Sequence, residues 1–319
     1  MTLAFVSAMA LCSCAGKKYQ PQDYVLQCQY KNDFRILQLT DIHMSDKDNQ
    51  KLHYDFMDLT IREANADMII VTGDLFTFAS QSTAKGLFNF LDSYGIPWTV
   101  IFGNHDEQCY FSVEWLTGYL NNYGSNCLFK DIQDDDVFGN CNFVINLMEG
   151  NNIHDQLFIM DSNRYTFDEY FGYDYFKPDQ IEWYKNMVEY TTAQNGGAKV
   201  NSLMFYHIPL PEIDAAYDEA EANNAIEFGE KREKTCPPEY NSGFFQVIKD
   251  CGSTKAMFFG HDHRNDFRVT YQGVTFCYGI KSTDRIYFDN DMMGGQVITI
   301  HDDHSLSYQQ YFHTYEEVQ

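Results

Sequence analysis

The stretch FRILQLTDIH, residues 34–43, decides the architecture. Phe34, Ile36, Leu37 and Leu39 read as a strand that runs without a break into Thr40, Asp41 and His43. Alternate residues after a strand point to one side, so a carboxylate and an imidazole are aimed together. The pattern returns twice. MIIVTGD (68–74) ends on Gly73 and Asp74, and WTVIFGNHD (98–106) ends on Gly103, Asn104, His105 and Asp106. Between them lie helical spacings, Leu52, Phe56 and Leu59 within residues 52–64, then Leu87, Phe88 and Leu91. Strand, helix, strand, helix, strand predicts a parallel sheet with crossover helices. The polar residues fall at the carboxyl ends of the strands, where open α/β sheets bind ligands.

Working outward, two more strands end the same way. Residues 203–206 lead to His207, and residues 256–259 lead to GHDH at 260–263. Further strands are expected at 143–148 and 157–160, and helices at 179–192 and 244–250. The last fifty residues read as β-hairpins at 267–271, 274–278, 296–300 and 305–312. Upstream, residues 24–30 form a strand joined to residues 34–39 by the turn Lys31-Asn32-Asp33. Residues 211–240 are an acidic, helix-compatible insertion able to cover a cleft. No linker demands a boundary, so residues 24–319 read as one domain.

With 46 acidic and 22 basic residues the chain carries a formal charge of -24. That field repels a phosphate backbone and argues against nucleic acid as a partner. It would repel a small phosphate ester as well, unless bound cations reverse the sign in one cleft. Residues 1–14 are mostly apolar and small, too short to span a bilayer but suited to a signal-peptide core. Leu11-Cys12-Ser13-Cys14 is similar to a bacterial lipobox, although no Lys or Arg precedes the apolar run. An exported protein is expected, with membrane anchoring through a lipidated Cys14; the alternative is a cytoplasmic one. None of the nine cysteines forms a CxxC pair, which excludes zinc-ribbon and thioredoxin readings. Cys109, Cys127 and Cys141 could supply a disulfide, or stay buried thiols.

Two cations held side by side need carboxylate, imidazole and amide-oxygen ligands, with one carboxylate shared. Each block alone is weak, because GD or a lone strand-end His arises by chance. Five blocks in order, each closing an apolar strand, are specific. The order DxH, GD, GNHD, H, GHDH resembles the calcineurin-like metallophosphoesterase superfamily. The resemblance implies a four-layer α/β/β/α sandwich. It also implies two metal ions (iron, manganese or zinc), with Asp41, His43 and His263 on the first, Asn104, His207 and His261 on the second, and Asp74 bridging. His105 would stabilise phosphate or protonate the leaving group, oriented by Asp106. Such a site hydrolyses a phosphate ester by attack of water that the cations have acidified, with a small phosphorylated monoester as the expected substrate. A phosphodiesterase for cyclic nucleotides or phospholipid headgroups is the alternative, and a metal-free scaffold the non-enzymatic one.

KPDQIEW at 177–183, with Asp161 and Ser162, resembles the purple acid phosphatase 29-like branch. Classical purple enzymes carry a tyrosine three residues after the bridging aspartate, and Thr77 stands there in this chain. The resemblance therefore implies a centre without the purple charge-transfer band. Other candidates have plainer readings. His301-Asp302-Asp303-His304 sits between two strands and reads as a hairpin turn. Asp134-Asp135-Asp136 lacks calcium-loop spacing. His53 and His154 have no companion motif, which defaults them to surface or helix positions. Arg164, Tyr165, Lys281 and Arg285 could bind phosphate or sit in structural ion pairs.

Overall fold

Strands apolar at both parities need cover on both faces, and a second sheet stacked on the first provides it. The structure, a computed structural model, describes residues 19–132, 136–167 and 171–318. The export signal at residues 1–14 and most of the Asp134–Asp136 run lie outside the described residues.

In chain order the strands are β1 (Val25–Gln29), β2 (Phe34–Leu39), β3 (Met68–Thr72), β4 (Trp98–Ile101), β5 (Phe143–Glu149), β6 (Asn152–Ile159) and β7 (Tyr165–Thr166). There follow β8 (Gly172–Tyr173), β9 (Asn201–Phe205), β10 (Thr254–Phe259), β11 (Arg268–Tyr271), β12 (Val274–Tyr278), β13 (Gly294–Ile300) and β14 (Leu306–Phe312). The helices are α1 (Gln50–Ala64), α2 (Gln81–Asp92), α3 (Val113–Asn121), α4 (Pro178–Gln194), α5 (Ile213–Ala222) and α6 (Phe244–Cys251). One sheet has five strands in the order β14-β13-β2-β3-β4, and the other has seven in the order β1-β5-β6-β9-β10-β12-β11.

Side-chain alternation divides the core. Leu203 and Phe205 of β9, with Ala256 and Phe258 of β10, join Ile36, Ile70 and Ile298 in the inner core. Their neighbours Met204, Met257 and Phe259 face outward onto Trp183 and Tyr184 of α4 and Phe244 and Ile248 of α6. Met57, Ile61, Phe88, Leu91 and Leu116 bring α1, α2 and α3 onto the five-stranded sheet. Each large apolar side chain buried in these layers contributes about 1.5–3 kcal/mol. The result is the four-layer α/β/β/α sandwich expected from the sequence.

The parallel run β2-β3-β4, with α1 and α2 as crossovers, matches the expectation. Both C-terminal hairpins form, but β11–β12 joins the larger sheet and β13–β14 the smaller. Strands β1 and β2 do not pair with each other. They belong to different sheets, so residues 31–33 carry the chain across the sandwich. Helix covers only Ile213–Ala222 of the acidic insertion; beyond it the chain runs extended, with bridges at Phe228–Arg268 and Lys231–Asn265. α3 was not anticipated, although Ser112 caps it by accepting from the Trp115 N–H. All seven described cysteines are free thiols. Among the described residues, no helix is long and apolar enough to cross a membrane.

Candidate metal centre

The ligand candidates sit on backbone that resists its own preferences. Asp41, His43, Asp74 and His261 have φ of 53°, 51°, 52° and 81°. Left-handed residues other than glycine cost on the order of 1–3 kcal/mol each and persist where surrounding contacts hold them. Here the Asp41 N–H donates to Gly73 O (3.1 Å) and the His43 N–H to Asp74 O (2.8 Å). A strap after β12 fastens the same turn: Lys281 Nζ donates to Asp41 O at 2.7 Å and Thr283 Oγ1 to Ile42 O at 2.7 Å. Two glycines make room. A Cβ on Gly73 would lie 2.4 Å from His207 Nδ1, and one on Gly103 would lie 2.2 Å from Asp74 Oδ1.

All seven ligand candidates converge at the carboxyl ends of β2, β3, β4, β9 and β10, and all are buried. His43 Nε2 and His263 Nε2 face each other at 3.0 Å, and His263 Nε2 is 3.3 Å from Asp41 Oδ1. Asp74 Oδ2 stands 3.5 Å from His43 Nε2 and 3.3 Å from His207 Nε2, between the two groups of ligands. On the other side, Asn104 Oδ1, His207 Nε2 and His261 Nε2 are buried and have no hydrogen-bond partner among the described residues. Buried polar atoms without a hydrogen bond are costly, and these three are the atoms expected to hold the second metal.

The outer hydrogen bonds set the tautomers. His207 Nδ1 donates to Thr72 O at 2.8 Å and His263 Nδ1 to Tyr287 O at 2.9 Å, which leaves both Nε2 lone pairs facing inward. Asn104 Nδ2 donates to Tyr165 Oη at 2.8 Å, so Oδ1 turns into the centre. Ser162 Oγ accepts from the His207 and Ile208 N–H groups, at 3.3 and 2.9 Å. Burial holds the His43 and His263 imidazoles below their usual range and His261 at about 3, the deprotonated state a metal ligand needs. Burial also opposes charge on His207, but Asp74 and Asp41 push it up to about 10. In the same field the His207 and His43 rings hold Asp74 well below the carboxylate range despite its burial. A cation at the orphaned Nε2 would take the place of that proton. The residues present therefore fit a pair of metal ions.

One role assigned from sequence is corrected. Asp106 does not orient His105. Its carboxylate accepts from the Phe76 N–H at 2.9 Å and the Gly103 N–H at 2.7 Å, pinning the turns after β3 and β4. Burial, with Asp74 nearby, raises it to about 8. The partner of His105 is Gln108, with Nδ1 and Oε1 2.9 Å apart. A residue three places on, across a tight turn, was a signal the sequence held. Thr77 lies 2.9 Å from His43 Nδ1, so the residue at the tyrosine position orients a ligand.

The phosphate-binding candidates divide. Arg164 pairs with Glu107, and Arg285 with Asp48 at 2.9 Å. Lys281 is buried behind Asp41, and Tyr165 alone reaches into the ligand set. His53 lies on α1 but buried, 2.7 Å from Tyr315 Oη. His154 is corrected too: it is buried on strand β6, neither at the surface nor on a helix. His301–His304 form the turn between β13 and β14, as read.

The family model described as calcineurin-like phosphoesterase matches residues 34–265. The chain belongs to that family. It is similar to two proteins of Arabidopsis thaliana. One, named probable inactive purple acid phosphatase 14, is 29% identical over 79% of this chain and 71% of its own length. The other, named probable inactive purple acid phosphatase 29, is 28% identical over 80% and 73%. Among solved structures, a dimetal phosphatase from Danio rerio has the same fold, with a TM-score of 0.54 and 13% identity over 84% of this chain and 96% of that one.

Proposed function

We propose that this protein is a two-metal hydrolase of phosphate esters, monoesters in preference to diesters. The observation that carries the reading is the trio of buried atoms without a hydrogen-bond partner among the described residues, Asn104 Oδ1, His207 Nε2 and His261 Nε2, facing His43, His263 and Asp41 across Asp74. A bound metal pair supplies Lewis acidity and a nucleophile at neutral pH. The chain's own residues do the rest. The buried shell around Asp41 and Asp74 keeps bulk water from the ligands. His105 sits beside this shell, its N–H donating to Asp74 Oδ1 at 2.8 Å and its ring 5.0 Å from that of His43. Gln108 Oε1, 2.9 Å from its Nδ1, orients the ring, and an imidazole placed here is suited to stabilise phosphoryl charge or pass a proton to a leaving oxygen.

The monoester preference leans on the word phosphatase in the relatives' names, and the word inactive there belongs to those proteins. Iron, manganese and zinc all suit the donor set. A screen of metal-loaded protein over phosphomonoesters, phosphodiesters and nucleotides tests the reading. Turnover of monoesters, lost with a chelator, is expected. Turnover of diesters alone would move the assignment to phosphodiesterase, and two bound metals with no turnover on any ester would leave a scaffold.

The location reading stays with the sequence: residues 1–14 serve as an export signal with lipid anchoring at Cys14. Expressed in a bacterial host, the protein should partition with membranes, and Cys14→Ser should release or stall it. Cytosolic protein that still begins at Met1 would end that idea.

A further inference from the structure

At the far end of the sandwich from the candidate centre, a second set of ligating side chains meets. Ile300 pairs with Phe34 at the start of β2, whereas Asp41 follows its end; Asp155 pairs with Asn201 at the start of β9, whereas His207 follows its end. There the β13–β14 turn folds onto β6. One ligating atom each from His154, Asp155 and His304 lies within 4.8 Å of the others. We propose that this trio binds one divalent cation of the zinc class, a structural site that clasps the two sheets.

Three observations carry it. The first is aim. Neighbours on a strand point to opposite faces, yet His154 and Asp155 meet at 2.5 Å between Nδ1 and Oδ2. The register between β5 and β6 slips at this place, from Leu147 opposite Asp155 to Met148 opposite Ile153. His154 is the extra residue of that bulge, and bulges re-aim side chains. The second is preorganisation. Tyr30 stacks on the His154 ring at 3.7 Å and 10°, while its hydroxyl lies 3.0 Å from Asp302 Oδ1. One tyrosine thus holds both the imidazole and the turn. His304 adopts φ 65°, a left-handed conformation that brings its ring back over β6, with Nδ1 2.9 Å from Asp155 Oδ2.

The third is donor chemistry. Two imidazole nitrogens, one carboxylate and an open side toward solvent at His304 match a borderline cation such as zinc, with water in the fourth position. Calcium and magnesium want oxygen throughout. Tetrahedral donors at zinc bond lengths stand roughly 3.3 Å apart, so Asp155 Oδ2 has to move off His154 Nδ1, now at 2.5 Å, by less than about 1 Å. His304, the exposed member, has to open its 2.9 Å contact with Asp155 by less than that. Burial raises the Asp155 carboxyl, so a cation there would offset the cost of its charge. Ligands from β6 and from the β13–β14 turn would tie the larger sheet to the smaller, where the sequence separation is 149 residues.

The test compares the full chain with His304→Gln, a substitution on an exposed turn remote from the candidate catalytic residues. Both proteins are equilibrated at low micromolar free zinc, and zinc per chain is measured together with the melting temperature. The expected result is one equivalent less zinc in the variant, and a smaller zinc-dependent rise in Tm than in wild type. Asp155→Asn should repeat the loss of the equivalent. The readout is a difference between proteins, so it stands whether or not the other centre turns over substrate. Equal zinc content in wild type and both variants overturns the proposal, even if Tm falls, because the trio would then be an ion-paired clasp only.

Discussion

The two sheets contribute unequal halves to the centre. The five-stranded sheet supplies Asp41, His43, Asp74, Asn104 and His105 from the ends of β2, β3 and β4, all within residues 41–105. The seven-stranded sheet supplies imidazoles alone, His207 after β9 and His261 and His263 after β10. The negative charge and the shared ligand belong to the first half. From the second come imidazole donors, together with the buried cation Lys281 of the strap that follows β12. The difference teaches that the centre is a joint. Charge built on one sheet is completed by lone pairs brought from the other.

The largest effect should come from the ligand that both halves share. Asp74→Asn is expected to lose both metals and on the order of 10³-fold or more in turnover, whereas His261→Ala should lose only the second metal. Metal content per chain reads the contrast, and equal losses from both variants would break the division into halves.

Next come two neighbours on the five-stranded side with different roles. His105→Ala should keep both metals and lose roughly 10²–10⁴-fold in rate. An alkyl phosphate should suffer more than an activated aryl phosphate, which needs little protonation of its leaving group. Asn104→Ala should weaken one metal, and excess metal should restore part of the rate. If His105→Ala sheds a metal, the ligand set is wrong; if both substrates slow equally, His105 stabilises charge without acting as the acid.

Lys281 tests what the strap costs. Burial lowers its pKa from 10.5 to about 8, so between those values the unfolded chain binds the extra proton. Stability from this group therefore rises with pH across that window. In metal-free protein, denaturant unfolding of wild type against Lys281→Met should shift in favour of wild type between pH 7 and pH 10. The shift should be on the order of 3 kcal/mol, at 1.36 kcal/mol per unit. A difference independent of pH would mean that the ammonium is not desolvated.

The smallest effect is expected at Thr77. Thr77→Val keeps the shape but removes the hydroxyl beside His43 Nδ1, and supporting hydrogen bonds of this kind are worth roughly 10–100-fold in metal affinity. Only the first metal should weaken in a competition titration with a chelator. Unchanged affinity would show that His43 is held by packing alone.

Local sequence pattern is enough to say which residues end the core strands. Alternation and the strand-to-turn switch are local, so Asp41, Asp74, Asn104 and His261 could be read from a few neighbours each. His261 and His263 enter the centre while Asp262 turns away to accept from Tyr278 Oη at 2.5 Å, an alternation that here rests on a turn with His261 at φ 81°. Tertiary structure decided what local pattern cannot carry. It placed β1 and β2 in different sheets, because hydrophobic pattern does not choose a strand's partner. It set Gln108, not Asp106, beside His105, because a tight turn and the amides of Phe76 and Gly103 claim the carboxylate. It brought Lys281 under Asp41, 240 residues away, and His304 onto Asp155. Such contacts depend on how two sheets pack, and packing is a property of the whole chain.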